Sequence, residues 1–308
     1  MLSMVNMTVA PRMLYESIVT NKIMGIDISN YTFQNNKNIT IGQQEQRDIR
    51  MSDSRWRQDI PADKNHRIAI VIPVYNHGNS VVRIVERAMR CGYPVFVVDD
   101  GSTDGGAADL QAIPGIHLLR HTENRGKGEA LITGFRAAQK VADWAVTMDA
   151  DGQHNPEELI GLVEAIPQTG RPIILGVRKG MDDRNVPWTS RFGRVFSNFW
   201  VWMSGGTWLS DTQSGFRIYP LPEILHLGIR SGRYQFEVEA LARAGWHKMP
   251  VVEVAVNVVY AAPGVRKTHF RPFVDFLRNS RVFTRLILTR IIRRLFVKKS
   301  GRNRQDVG

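Results

Sequence analysis

Ala145-Val-Thr-Met-Asp149-Ala-Asp151-Gly-Gln153-His-Asn-Pro-Glu-Glu158 reads as a strand end, a polar turn and a helix start. Trp144 to Met148 is apolar and strand-like. Asn155 is placed to cap a helix whose first position is Pro156, and Glu157 and Glu158 lie where the helix dipole favours negative charge. Asp149 and Asp151 therefore fall in a strand-to-helix turn. Two carboxylates two residues apart in a curled turn, with the Gln153 carbonyl near them, suit a hard divalent cation that keeps positions open for phosphate oxygens. The plainer alternative is a polar turn whose aspartates cap backbone amides, which is common.

The same unit recurs on either side. Ile68-Ala-Ile-Val-Ile-Pro73 is a continuous apolar run of buried-strand length, followed by a loop over Val74 to Asn79 and an amphipathic helix from Ser80 to Arg90. Pro94 to Val98 is a second strand, and it ends in Asp99-Asp100-Gly101-Ser102. Ile116 to Leu119 is a third, after which Glu123 to Gly128 opens a helix reaching Lys140. Beyond the opening stretch, a helix over 156–165 leads to a strand over Ile173 to Val177. Strands and helices alternating at this spacing predict an α/β fold, a mostly parallel, doubly wound sheet with helices on both faces. In such sheets ligands bind outside the carboxyl ends of the strands, where the strand order switches. Asn76, Asp99, Asp100, Lys127, Asp149 and Asp151 all follow strand ends or open the next helix, so one sheet edge would carry them together.

Composition sets the outer limits. A chain of 308 residues with 43% hydrophobic content can bury a large core. Cys91 is the single cysteine, which excludes an intrachain disulfide and a cysteine-based zinc site and suits a reducing compartment. No window is apolar enough to span a bilayer. The net charge of +12 is local rather than general: Gly264 to Gly308 holds 13 lysines and arginines against Asp275 and Asp306. Three regions follow: a poorly ordered extension over 1–66, an α/β domain over 67–262 and a basic amphipathic segment over 263–308.

Two nucleotide-binding classes are excluded by their loops. The first strand is followed by Val-Tyr-Asn-His-Gly rather than a Gly-X-Gly-X-X-Gly fingerprint, and Gly126-Lys127-Gly128 is too short for a phosphate loop. What remains is a nucleotide site made of carboxylates and cations. Asp99 and Asp100 can accept from a base N–H and ribose hydroxyls, Lys127 can meet a phosphate, and Asp149 with Asp151 can hold a metal on a diphosphate.

Five stretches in order resemble the motif series of the family 2 inverting glycosyltransferases: Val71-Ile-Pro-Val-Tyr-Asn76, Val97-Val-Asp-Asp-Gly-Ser-Thr-Asp-Gly105, Asn124-Arg-Gly-Lys-Gly128, Asp149-Ala-Asp-Gly-Gln-His154 and Asp211-Thr-Gln-Ser-Gly-Phe-Arg217. The branch they look most like makes dolichyl- or polyprenyl-phosphate sugars. The resemblance runs from about Arg67 to about Tyr260 and implies a GT-A fold, a nucleotide-sugar donor and Mg²⁺ or Mn²⁺. It further implies that Pro73, Tyr75, Asn76, Asp99 and Asp100 contact the nucleoside, that Lys127 lies close to the donor, and that Asp149, Asp151 and Gln153 hold donor and metal. Arg178 would meet a diphosphate or acceptor phosphate.

The acceptor decides whether a base is needed. A hydroxyl on a glycan or acyl lipid must lose a proton, and Asp211 is the candidate base by motif position. A lipid phosphate is already anionic and can attack without one. Arg217 and Arg178 are the candidate contacts for such a phosphate. Glu237 and Glu239 lie two apart on a helix and do not face each other, so at most one enters the site; Glu237 is the one assigned to catalysis. His154 is read as a hydrogen-bonded loop residue. Trp188, Trp200, Trp202 and Trp208 are expected in the core first, with stacking on sugar or lipid as the second reading. A non-catalytic nucleotide-binding scaffold would predict a damaged site, whereas Lys127, Asp149 and Asp151 are all present.

Near the C-terminus Phe273, Phe276, Leu277, Phe283, Ile287, Ile291 and Leu295 follow one helical stripe, with Arg278, Arg281, Arg285 and Arg293 largely off it. The first reading is an in-plane helix on an anionic membrane surface, each nearby cation contributing on the order of 1 kcal/mol, and the second is a C-terminal helix packed on the domain with a solvated basic face. The expected partners are a nucleotide-sugar donor, a lipid-linked acceptor, the anionic membrane surface and a membrane protein, with no specific nucleic acid. The expected location is the cytoplasmic side of the membrane, held peripherally.

Overall fold

The computed structural model of the chain describes residues 66–78, 80–152, 156–179, 188–257 and 279–292. The N-terminal extension up to residue 65, together with Gln153, His154 and Asn155, lies outside the described residues, as do the segment 258–278 and everything after 292.

Seven strands form one sheet in the order β3-β2-β1-β4-β6-β5-β7. They are β1 (Ile68–Val74), β2 (Val95–Asp99), β3 (His117–Arg120), β4 (Trp144–Thr147), β5 (Ile173–Arg178), β6 (Arg217–Pro220) and β7 (Val251–Val256). The helices between them are α1 (Ser80–Met89), α2 (Gly106–Gln111), α3 (Lys127–Ala138), α4 (Leu159–Glu164), α5 (Trp188–Met203), α6 (Glu223–His226) and α7 (Gln235–Trp246). A last helix, α8, covers 279–292. The expected helix at Pro156 begins instead as a 3₁₀ turn over Pro156–Glu158 and becomes α-helical at Leu159.

Alternation along each strand divides the core in two. Ala69, Val71, Phe96, Ala145, Leu175 and Tyr219 point to a layer filled by α3, α5, α7 and α8. Ile70, Ile72, Val97, Val146, Ile174 and Ile218 point to a layer filled by α1, α2 and α4. All seven residues of β1 are buried, which is why its sequence is an unbroken apolar run rather than an alternating one. Each fully buried large aliphatic side chain in these layers stabilises the fold by roughly 1.5–3 kcal/mol.

Two features of the sheet place the site. β1 pairs in parallel with β2 on one side and β4 on the other, so the loops leaving β1 and β4 diverge and open a crevice. β6 then runs antiparallel to both β4 and β5, with Arg217 beside Thr147 and Leu175. Its entry loop, 211–216, therefore reaches the same edge as the carboxyl ends of its neighbours. Sequence alternation alone predicted parallel strands and did not resolve this inserted antiparallel one.

α8 is not detached from the domain. Phe283 and Leu286 are each 1% exposed within the layer that includes α5 and α7, and the Phe283 ring stacks on Trp200 at 6.1 Å. Phe283 was expected on a membrane-facing stripe; the adjoining apolar layer buries it instead. Among the described residues no helix is long and apolar enough to cross a membrane.

Candidate active site

The crevice is built on stitched loops. After β1 the chain turns through Asn76, whose φ of 54° is left-handed. The Asn76 N–H donates to Ser102 Oγ at 3.0 Å, and Asn76 Oδ1 accepts from the Thr103 N–H at 2.8 Å. Asp104 accepts from the Gly78 N–H at 2.6 Å and from the Gly106 N–H at 3.1 Å, which ties the loop after β1 to the start of α2. Tyr75 is half-buried at the mouth, and Pro73 is buried within β1.

Asp99 and Asp100, expected at the nucleoside, have side chains that are 0% and 3% exposed. Asp99 Oδ1 accepts from the Ser102 N–H at 2.8 Å; Arg120 Nε stands 3.1 Å from Oδ2 without the alignment of a hydrogen bond. Asp100 accepts from the Arg125 and Gly126 N–H groups at 2.9 and 2.7 Å, and His121 bridges it to Thr133. These two carboxylates hold the loops 101–104 and 124–127 in place. Asp100 has both oxygens on backbone amides, whereas Asp99 Oδ2 is buried without a hydrogen-bond partner.

Asp100 thereby positions Lys127. The turn at Gly126 has a φ of 100°, and a Cβ there would stand 2.5 Å from Gly232 O. At Gly128 a Cβ would stand 2.5 Å from Ser231 O. Both glycines are absences that let the start of α3 press against the loop before α7, where the Glu129 N–H donates to Gly232 O at 3.0 Å. Across that contact Lys127 Nζ meets Glu237 Oε1 at 2.6 Å and Asp149 Oδ1 at 2.5 Å. Burial works to lower the Lys127 pKa, but the two carboxylates outweigh it and hold it above its ordinary range, so the ammonium is charged. Burial pushes the Glu237 carboxyl up, and Lys127 and Arg217 offset only part of that. Glu239, two residues on, faces away to Ser231, Arg243 and Arg285.

Gly215 closes the same space. Thr147 Oγ1 donates to Gly215 O at 2.7 Å, and a Cβ on Gly215 would collide with the Asp149 carboxylate and stand 2.9 Å from Lys127 Nζ. Within the motif Asp211 to Arg217 nothing local gives this glycine a role. Its signal is visible only once Asp149 is seen against it.

Asp211 and Arg178 form a buried fork. Arg178 Nε and Nη2 donate to the two oxygens of Asp211 at 2.6 and 2.9 Å, with the Asp211 side chain fully buried. Burial alone would raise the Asp211 pKa, but the hydrogen bonds and charge of Arg178 more than offset it and hold the carboxyl below its ordinary value. Arg217 was expected at an acceptor phosphate and is instead fully buried. It donates to the carbonyls of Ser214 (2.7 Å), Glu237 (2.9 Å) and Thr212 (2.8 Å) and lies 3.2 Å from Tyr219 Oη. The antiparallel entry of β6 turns it inward, where it ties loop 211–215 to α7.

Among the described residues no group of three or more His, Cys, Asp or Glu side chains is disposed to hold a metal. Gln153, the third expected ligand, and His154 lie outside the described residues. Of the tryptophans, Trp200 packs with Phe196, Phe199 and Phe283, while Trp202 meets Trp208 edge to face at 5.9 Å.

Comparison with known proteins agrees with this architecture. The profile of glycosyl transferase family 2 matches residues 69–220. The undecaprenyl-phosphate mannosyltransferase of Micrococcus luteus is 32% identical over 218 residues, covering 65% of this chain and 87% of that one. The polyprenol monophosphomannose synthase of Mycolicibacterium smegmatis is 32% identical over 225 residues, covering 65% and 80%. The UDP-N-acetylglucosamine–dolichyl-phosphate N-acetylglucosaminyltransferase of Methanococcus voltae is 28% identical over 215 residues, covering 63% and 86%. With its seven-stranded, mostly parallel sheet and the strand-end motifs gathered at one edge, the chain belongs to glycosyl transferase family 2.

Proposed function

We propose that this enzyme is an inverting hexosyltransferase that moves a sugar from a nucleotide-diphosphate sugar to a polyprenyl phosphate. The observation that carries the acceptor class is the Arg178–Asp211 fork. A hydroxyl acceptor needs a carboxylate that can take a proton, and Asp211 is a weak base with both oxygens engaged by Arg178. A phosphate acceptor makes no such demand. One of its anionic oxygens forms the new bond to the anomeric carbon as the bond from that carbon to the donor diphosphate breaks, and the nucleoside diphosphate leaves with the electron pair.

Lys127 is the group placed to stabilise charge on that leaving diphosphate, fixed by Glu237 on one side and Asp149 on the other. Glu237 thus serves catalysis by orienting a cation. Tyr75 and Asn76 line the nucleoside end of the crevice, backed by Asp99 and Asp100. Arg178 faces the acceptor end.

Asp149 and Asp151 suit Mg²⁺ or Mn²⁺ as hard oxygen donors, and the space that a side chain at Gly215 would fill is kept beside Asp149. Two carboxylates leave most of the coordination to diphosphate oxygens and water. When bound, the ion would neutralise diphosphate charge. A lipid acceptor calls for work at a membrane surface, and with a nucleotide-sugar donor the reading is a peripheral enzyme on the cytoplasmic face.

A donor screen that follows nucleoside diphosphate release tests this reading, comparing polyprenyl phosphate with the corresponding free polyprenol. Turnover that requires the phosphate is expected. Equal turnover with the free alcohol would overturn the acceptor assignment.

A further inference from the structure

α5 and α8 lie side by side on one face of the sheet. Trp200 and Phe196 of α5 meet Phe283 of α8, and Arg290 Nη1 donates to Met203 O at 2.7 Å. The inner side of α8 is fastened to α7 as well. Gln235 Nε2 donates to Asn279 Oδ1 at 3.0 Å, and Arg285 Nη2 donates to the buried Glu239 Oε2 at 2.7 Å. The outer side is thereby held in a fixed direction, and it is apolar where solvent would favour polar residues.

Ten large hydrophobic residues are exposed among the described residues, and six of them belong to this one region: Val195, Met203, Trp208, Leu288, Ile291 and Ile292. Leu288, Ile291 and Ile292 are 54%, 49% and 51% exposed on the side of α8 opposite Phe283 and Leu286. Trp208, 51% exposed, stands against Trp202 at the end of α5. The two helices carry charge of one sign, and the exposed Glu253 of β7 reaches the same region, where it accepts from the Ser210 N–H at 2.6 Å. No aspartate or glutamate occurs from residue 188 to 210 or from 276 to 305, and Arg281 is exposed on α8.

We infer that the outer face of α5 and α8, centred on Trp208, Leu288, Ile291 and Ile292, docks in the plane of an anionic lipid bilayer. An aliphatic ridge with tryptophan at its edge, arginines on both helices and no carboxylate from either helix fits the boundary between headgroups and acyl chains. A second copy of the chain fits worse, because a two-fold interface would set the arginine-bearing helices against themselves. This names the surface by which the proposed lipid transferase meets its acceptor's membrane, and it rests on that reading only for its purpose. Its test needs no turnover.

The full chain is sedimented with vesicles of phosphatidylcholine alone and of phosphatidylcholine with phosphatidylglycerol, beside the variant Trp208→Ser/Leu288→Ser/Ile291→Ser. The parent is expected on the anionic vesicles, and the variant is expected to bind them about tenfold or more weakly with an unchanged melting temperature. Brominated lipid is expected to quench the parent more than Trp208→Phe, which keeps the ridge intact. Anionic-vesicle binding that the triple variant retains in full would assign attachment to the basic tail and overturn the inference. So would absence of parent binding, or a lipid-free dimer that the same variant dissolves.

Discussion

Lys127 Nζ donates to Glu237 Oε1 at 2.6 Å although 110 residues separate them, and the same ammonium lies on Asp149. The contact joins the start of α3 to the first turn of α7 through two glycines that permit the approach. Lys127→Met should lower kcat/KM by roughly 10²–10³ for loss of one preorganised charge at a leaving group, and should also lower stability because the buried Glu237 loses its cation. Initial rates of nucleoside diphosphate release measure it. Wild-type rates in this variant would remove Lys127 from the chemistry.

Glu237 should set the acidic limb of the pH profile. Burial holds its pKa above the ordinary glutamate value, so as pH falls the carboxyl takes up a proton before an exposed glutamate would, and Lys127 loses one of its two anchors. The limb is expected above pH 4.5, the ordinary glutamate value, and Glu237→Gln should flatten it. Log kcat/KM against pH for parent and variant gives the comparison.

The Arg178–Asp211 fork predicts an asymmetry in stability. Arg178→Ala leaves a buried carboxylate unpaired and should cost about 3–5 kcal/mol, whereas Arg178→Met with Asp211→Leu should recover much of it. Because the folded Asp211 pKa is depressed, its contribution is fully present above its ordinary value of 3.8 and is lost as pH falls through the lower folded value. Urea unfolding across acidic pH should show that loss in the parent and not in Asp211→Asn.

Gly215→Ala separates binding from folding. The added methyl meets the Asp149 carboxylate and the Lys127 ammonium, both side-chain ends that can shift, so stability should change by less than about 1–2 kcal/mol. The donor site should suffer more. A rise in the donor KM of about tenfold, with a melting temperature near that of the parent, is the expected pair of results.

Metal dependence is tested on the donor alone. Chelation should abolish release, and Asp151→Asn should raise the Mn²⁺ concentration needed for half-maximal rate by about tenfold or more. Full activity in chelator would remove the divalent ion from the mechanism.

The local pattern of the sequence determined the first half of this architecture. Apolar runs such as Ile68 to Val74 mark strands buried on both faces, because alternate side chains enter two separate layers and leave no polar position between them. The order of polar residues at strand ends likewise placed Asn76, Lys127, Asp149 and Asp151 on one edge. Tertiary structure alone decided what those residues do. Asp100 looked like a ligand contact and serves the Arg125 and Gly126 amides, while Arg217 is turned inward by an antiparallel strand that periodicity does not distinguish from a parallel one. A helical stripe at the C-terminus announced an apolar face without saying what would cover it. Phe283 belongs to the core and Ile291 to the surface because burial depends on which neighbours arrive, here Trp200 and Phe196 from a helix about eighty residues earlier in the chain.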